Sequence, residues 1–499
     1  MNRFLRSAIM GILAFGLFAC ASGQPVETSP LPATEAAQVT PPEPATTESL
    51  LATLPASPTA LPVVSEPPAP LSQYTINATL DYDAHFLTVE EQITYFNNSG
   101  ASIPDLVLLV EPNRYQGAFQ LQSISWKDGA DITNYTLEGA VLRIPLEAAL
   151  PPGGRLDLNL SFESNLPAQE APFGYTERQS NLGDWYPFIP PYDSAGWLIR
   201  EISGQGEHLA YESADFLINF HLANTNTASG QPLIIAASAI PETTGETQQY
   251  HLEAARSFAL SISPQFLVQE TLVGEVTVKS YTFPFHAAAD EPALQETGKA
   301  LAAFSEIFGP YPHQSLSVVE ADFLNGMEYD GLIFLSHAFY EFYTGDQKSN
   351  LTIISAHEVA HQWWYGLVGN DQANEPWLDE ALSTYSELLF YEQVYPQLTS
   401  WWRENRIEFH EPQGWVDSTI YEFGPQDFYP YRDAVYLRGA MFLGDLRQAM
   451  GDEAFLVFLR DYLQQFTYRQ ATGEDFFSLL AKHSTADLSG IIDAYFANR

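Results

Sequence analysis

His357-Glu358-Val359-Ala360-His361 sets two histidines four residues apart around a glutamate, and Glu380 follows nineteen positions after the second histidine. Side chains at i and i+4 share one helix face, so the two imidazoles meet at one point only if this stretch is helical. The spacing therefore predicts a helix over 351–365, with Ser349 or Asn350 as its cap, Ile353, Ile354, Val359 and Trp363 on its apolar side, and Gly366 at its end. Asn374-Glu375-Pro376 opens a second helix, because proline suits a first helical turn, and Glu380 lies one turn further in. A fold that uses these residues together must set the two helices face to face. Two imidazoles and a carboxylate are the donor set of a zinc ion that keeps its fourth position open for water. We expect one Zn2+ on His357, His361 and Glu380, with Glu358, not itself a ligand, as the general base beside it.

The acidic excess bounds the partners. With 62 acidic against 21 basic residues the formal net charge is -41, which argues against nucleic acid, whose phosphates require clustered Lys and Arg. The single cysteine, Cys20, excludes an internal disulfide. Arg3 and Arg6 precede an apolar run from Ala8 to Ala19 that leads directly into Cys20, and residues 1–20 resemble a bacterial lipoprotein signal. That resemblance implies cleavage before Cys20, lipidation of Cys20, and attachment to a bacterial membrane on its extracytoplasmic side. Residues 21–72 contain no aromatic residue, no Lys and no Arg, and are dominated by Pro, Thr, Ala, Ser and Glu. Such a segment cannot bury a core and is predicted to be a disordered tether.

Alternation begins at Gln73. Leu87, Val89, Ile93 and Tyr95, then Leu156, Leu158, Leu160 and Phe162, then Phe216, Ile218, Phe220 and Leu222 read as half-buried strands, with Asn97–Gly100 and Pro151–Gly154 as turns. Residues 73–269 are predicted to form an antiparallel, sandwich-like β domain, with Trp185, Tyr186 and Trp197 packing between sheet and loop. Residues 270–499 carry the motif. Here a strand-rich stretch over 273–281 precedes a helix over 293–308 and a strand over 315–321, and almost everything beyond Leu351 is helical in pattern. Phe455, Phe458, Leu459 and Tyr462 form a core stripe, and Thr472 to Asp475 can cap a helix. The fold class is multidomain, β plus α/β.

Taken with Trp377-Leu378-Asp379-Glu380, Asn325-Gly326-Met327-Glu328-Tyr329 and Val435-Tyr436-Leu437-Arg438-Gly439-Ala440, the zinc motif resembles the M1 family of zinc metallopeptidases, most of which are aminopeptidases. The resemblance runs from about residue 73 to the end. It implies an N-terminal β domain followed by a mainly helical, thermolysin-like catalytic domain, in a form without the large further helical domain of many members. It implies the same ligands and base, a grip on the substrate's α-amino group by Glu328, backbone pairing along Gly326 and Met327, and a transition-state hydroxyl at Tyr436. Asn325 stands where glycine is usual, and Tyr329 where asparagine is usual. Glu387, seven residues after Glu380 and on the same helix face, is predicted to orient an imidazole. His286, His313, His337 and His410 lack ligand spacing and read as surface or packing residues. The expected function is zinc-dependent removal of N-terminal residues from peptides with a free N-terminus. A zinc endopeptidase with an open cleft, or a non-catalytic surface-binding lipoprotein, are the alternatives.

Overall fold

The alternating stretches pair into a six-stranded sheet in the order Thr247–Ala255, Ala214–Leu222, Ser72–Asp81, Phe86–Phe96, Arg155–Asn165 and Phe119–Trp126. The computed structural model describes residues 70–498, which lie in one compact unit. The leader, Cys20 and the proline-rich segment up to residue 69 lie outside the described residues. One face of the sheet buries Ile76, Leu80, Val89, Leu160, Phe162, Ile218 and Phe220, against smaller sheets that include Ile103–Leu109 with Val141–Leu150 and Ile234–Ala237 with Leu260–Ser263. Most pairings are antiparallel, but Ser72–Asp81 runs parallel to Ala214–Leu222. The chain builds other strands between these two and returns in the same direction, a connection that periodicity alone does not reveal. Trp185 and Tyr186 are buried in this core, Trp185 donating to the Phe258 carbonyl at 3.0 Å, and Trp197 donates to Asp105 at 3.0 Å.

Along Phe86–Phe96 the inward positions are Leu87, Val89, Glu91, Ile93 and Tyr95. The gap in the hydrophobic alternation is thus filled by a glutamate, paired in register with Ile76 and Leu160 and 2% exposed. Neither carboxylate oxygen has a hydrogen-bond partner among the described residues. Burial pushes its pKa well above the carboxylate range. The folded chain then keeps a proton that the unfolded chain releases, so stability falls as pH rises from the ordinary carboxylate range through the raised value. Glu91→Leu is expected to stabilise the protein at pH 8 by about 1–3 kcal/mol, with a smaller gain near pH 4.5, by urea denaturation. A destabilised variant at pH 8 would contradict this account.

From Leu267 a second, mixed sheet follows, in the order Leu267–Val273, Val276–Thr282, Ser315–Ala321, Leu332–Ser336 and Gly326–Tyr329. Its last strand is an edge, bonded to Leu332–Ser336 alone. The helices Ala287–Ile307, Asn350–Ala360, Trp377–Val394, Arg438–Met450, Asp452–Phe466 and Gly473–His483 share one apolar core, which contains Phe455, Phe458, Leu459 and Tyr462. Thr472 and Asp475 form a reciprocal cap at the last of these helices. Among the described residues no helix is long and apolar enough to cross a membrane.

Three helix boundaries differ from expectation. The first helix starts at Ala287, because Pro292 falls within its first two turns and does not break it. The motif helix, capped by the Ser349 hydroxyl on Thr352 N–H, ends at Ala360 rather than 365. There the Gly366 N–H reaches back to the His361 carbonyl at 2.9 Å, and Val368-Gly369 leaves to pair with Arg469-Gln470. Pro376 caps the second helix instead of entering it.

Candidate metal centre and cleft

The motif helix packs between Ala287–Ile307 and Trp377–Val394, which turns its polar face toward Glu380. His357 Nε2 lies 3.2 Å from His361 Nε2 and 3.2 Å from Glu380 Oε2, and His361 Nε2 lies 3.5 Å from the same oxygen. A tetrahedral ion with bonds of about 2.0–2.1 Å separates its ligand atoms by about 3.3 Å, so this triangle fits zinc. Burial works to lower His357, but Glu380 and Glu387 outweigh it and lift its pKa to about 9. Burial works to raise Glu380, but bonds from His357 and His361 hold it well below the carboxylate range.

Each imidazole is fixed from behind. His357 Nδ1 is 3.0 Å from Glu387 Oε1, and His361 Nδ1 is 3.1 Å from the Trp364 carbonyl. Glu387 is itself held by Trp402 Nε1 at 2.9 Å and by two Arg406 nitrogens at 2.8 Å. Glu387→Ala is expected to weaken zinc binding about 10- to 100-fold in chelator competition, and unchanged affinity would remove its orienting role.

Glu358 is 5% exposed, and burial raises its pKa to about 8 against the opposing His357. Among the described residues its Oε2 has no partner, while Gly326 lies against its other oxygen. Tyr436 stands on a widened helical segment, Arg432–Leu437, of the kind that often marks functional positions. Its hydroxyl is 2.5 Å from Glu380 Oε1, its ring stacks on His357 at 5.8 Å, and burial keeps the phenol protonated. Three residues later Gly439 meets Ala381 so closely that a Cβ would sit 2.3 Å from the alanine's, which lets the Tyr436 segment approach the Glu380 helix.

A cleft of about 650 Å³ contains these groups together with Gly326, Met327 and Glu328. Glu328 is 4% exposed, and its contact with Gln372 Nε2 is a long 3.5 Å. The two departures in this segment have different reasons, one in the backbone and one in a distant partner. Asn325 adopts φ 69, a conformation open to asparagine as well as glycine. The Tyr329 hydroxyl lies over Gly183 and donates to Asp184 at 3.0 Å. His286, His313, His337 and His410 do not line the cleft.

Residues 292–495 match the family model described as the Peptidase family M1 domain. That stretch is a peptidase family M1 domain. Probable aminopeptidase 2 of Sulfurisphaera tokodaii is 26% identical over 239 residues, covering 44% of this chain and 30% of that protein. Endoplasmic reticulum aminopeptidase 2 of Homo sapiens is 29% identical over 219 residues, 41% of this chain and 23% of the relative. The chain thus spans less than a third of the length of these relatives. An M1 zinc metallopeptidase structure from Deinococcus radiodurans shares the fold at TM-score 0.60 and 18% identity, over 85% of this chain and 93% of that one.

Several cleft groups escaped the sequence reading. Trp402, buried, and Arg406, half-buried, four apart in sequence and both bonded to Glu387, carried a detectable signal in that spacing. Gln372, which bonds Asp379 at 2.9 Å, and Glu207, which reaches the cleft from the β half, carried none.

Proposed function

We propose that this M1 chain is a zinc aminopeptidase that removes N-terminal residues from peptides, with one ion held by His357, His361 and Glu380. The observation that carries the reading is the fit of the ligand triangle beside a buried, half-unpartnered Glu358, in a cleft that also presents Glu328. Bound zinc would lower the pKa of its water toward neutrality and polarise the scissile carbonyl. Glu358 takes the proton of the attacking water and returns it to the leaving amine. The Tyr436 phenol donates to the oxygen on which negative charge develops. Glu328 holds the substrate ammonium, and the edge strand Gly326–Tyr329 offers its free side to the peptide backbone. Glu387 keeps the His357 ring in register. The neighbour in the Deinococcus structure with a Tyr-Ser-Ala substrate supports a peptide in this cleft. Cys20 anchors the chain by acyl groups to the outer side of a bacterial membrane, a reading supported by residues 1–20 alone.

The test uses the full chain, measuring zinc content and cleavage of matched peptides with free or acetylated N-termini. Hydrolysis of the free-amine peptides alone, lost in Glu358→Gln, is expected. Equal cleavage of acetylated peptides would establish an endopeptidase instead, and a chain that binds no zinc and cleaves neither would be a binding protein. Cys20→Ala should release the protein from membranes.

A further inference from the structure

The two ends of the cleft differ in charge. Glu207 and Glu328 line the end that opens into an inner cavity of about 740 Å³. Arg406 and Arg432 line the cleft but not that cavity, and among the described residues they are the only lysine or arginine side chains of the cleft. In a chain with 62 acidic against 21 basic residues, two arginines facing an acidic cleft call for a reason. Arg406 has one: its Nε and Nη2 each lie 2.8 Å from an oxygen of Glu387, so its fork is closed on the group that orients His357. Arg432 is engaged from one side only. Its Nε and Nη2 both turn to a single oxygen of Asp433, at 3.0 and 2.5 Å, and its guanidinium carbon lies 5.0 Å from the centre of the Tyr429 ring. Among the described residues its Nη1 has no hydrogen-bond partner, although the side chain is only 13% exposed.

Arg432 opens the widened helical segment that carries Tyr436 four residues later. Side chains four apart on a helix are neighbours, about 5–6 Å between their Cβ atoms, so the guanidinium stands one step beyond the phenol that bonds Glu380. A peptide whose ammonium rests on Glu328 passes the metal ligands before it reaches Arg432. Three extended residues span roughly 10 Å, which brings the far end of a short peptide, a carboxylate, into this region. Acid, metal and arginine then follow the order of charge in a short zwitterionic peptide. Asp433 and Tyr429 hold the plane of the guanidinium and leave a donor for that carboxylate, while Asp433 offsets part of its charge.

We propose that Arg432 is a specificity-determining residue that receives the terminal α-carboxylate of short peptides, so that di- and tripeptides with a free C-terminus are cleaved in preference to their amides. This rests on the aminopeptidase reading, which sets the amine at Glu328 and the leaving residues beyond the metal. The test is kcat/KM of the zinc-loaded full chain on di- and trialanine, each as the free acid and as the C-terminal amide, and on alanine p-nitroanilide, for the wild type, Arg432→Gln and Arg432→Glu. The ratio of acid to amide is the readout, because a general loss of activity cancels in it. For the wild type it is expected to be about tenfold at one of the two lengths, carried mainly by KM. It is expected to fall close to one in Arg432→Gln and below one in Arg432→Glu, where like charges meet. Acid and amide cleaved equally by the wild type at both lengths, or a ratio that neither variant moves, overturns the proposal, and hydrolysis of alanine p-nitroanilide then leaves the aminopeptidase reading standing. No hydrolysis of any of the five substrates overturns both.

Discussion

Gly326→Ala is expected to silence the protein nearly as completely as Glu358→Gln, although it adds one methyl group. A Cβ at position 326 would lie 1.9 Å from Oε1 and 2.3 Å from Cδ of Glu358. The end of the glutamate side chain is the part that can move. Gly326 belongs to a strand bonded to Leu332–Ser336, and Glu358 sits on a buried helix between two others. The carboxylate must therefore leave the place where it meets a water on the metal, and loss of a positioned general base costs about 10²- to 10⁴-fold in rate. The Gly326 contact falls on Glu358 and on none of the three ligand side chains, so zinc content should be unchanged while kcat falls by about that factor. Metal analysis beside steady-state kinetics separates the two. An alanine variant with full kcat would mean that Glu358 works from a different position than the one seen here.

The same crowding explains what could be read in advance. His357, His361 and Glu387 were legible because each follows from helical periodicity within a few turns, and that periodicity holds as far as Ala360. The end of the motif helix was not legible, since it depends on a return bond at Gly366 and on pairing with Arg469-Gln470, a hundred residues away in sequence. Glu91 was visible only as a gap in an alternating pattern, and its burial is a property of the assembled sheet. Tyr329 departed from the family pattern, and its partner Asp184 lies in the β half, so the compensation is tertiary. Glu207 is the extreme case. Nothing local distinguishes it from the many other acidic residues, and its place in the cleft is set by contacts of Arg200, Ser203 and Gln205 with residues beyond 370.

Arg256 ties these distant segments together, and its replacement is expected to produce the largest loss of stability. It is 2% exposed, and its guanidinium donates to the carbonyls of Tyr365 at 2.6 Å, Tyr211 at 2.7 Å, Arg469 at 2.9 Å, Gly366 at 3.1 Å and Leu367 at 3.2 Å. Three of those carbonyls belong to the turn that follows His361. Burial lowers the pKa of the group, opposed by Asp330, whose carboxylate accepts the Arg256 backbone N–H at 2.9 Å. Arg256→Met would leave several carbonyls buried without donors, which should cost roughly 3–5 kcal/mol in urea denaturation. Arg256→Lys tests the geometry separately from the charge. An ammonium cannot span carbonyls on three separate chain segments as a planar fork does, so lysine should recover less than about half of the loss. Because the turn after His361 also supplies the Trp364 carbonyl to that imidazole, both variants should bind zinc more weakly at temperatures where they remain folded. A lysine variant as stable as the parent would show that charge in this cavity, rather than the fork of donors, holds the two halves of the chain in register.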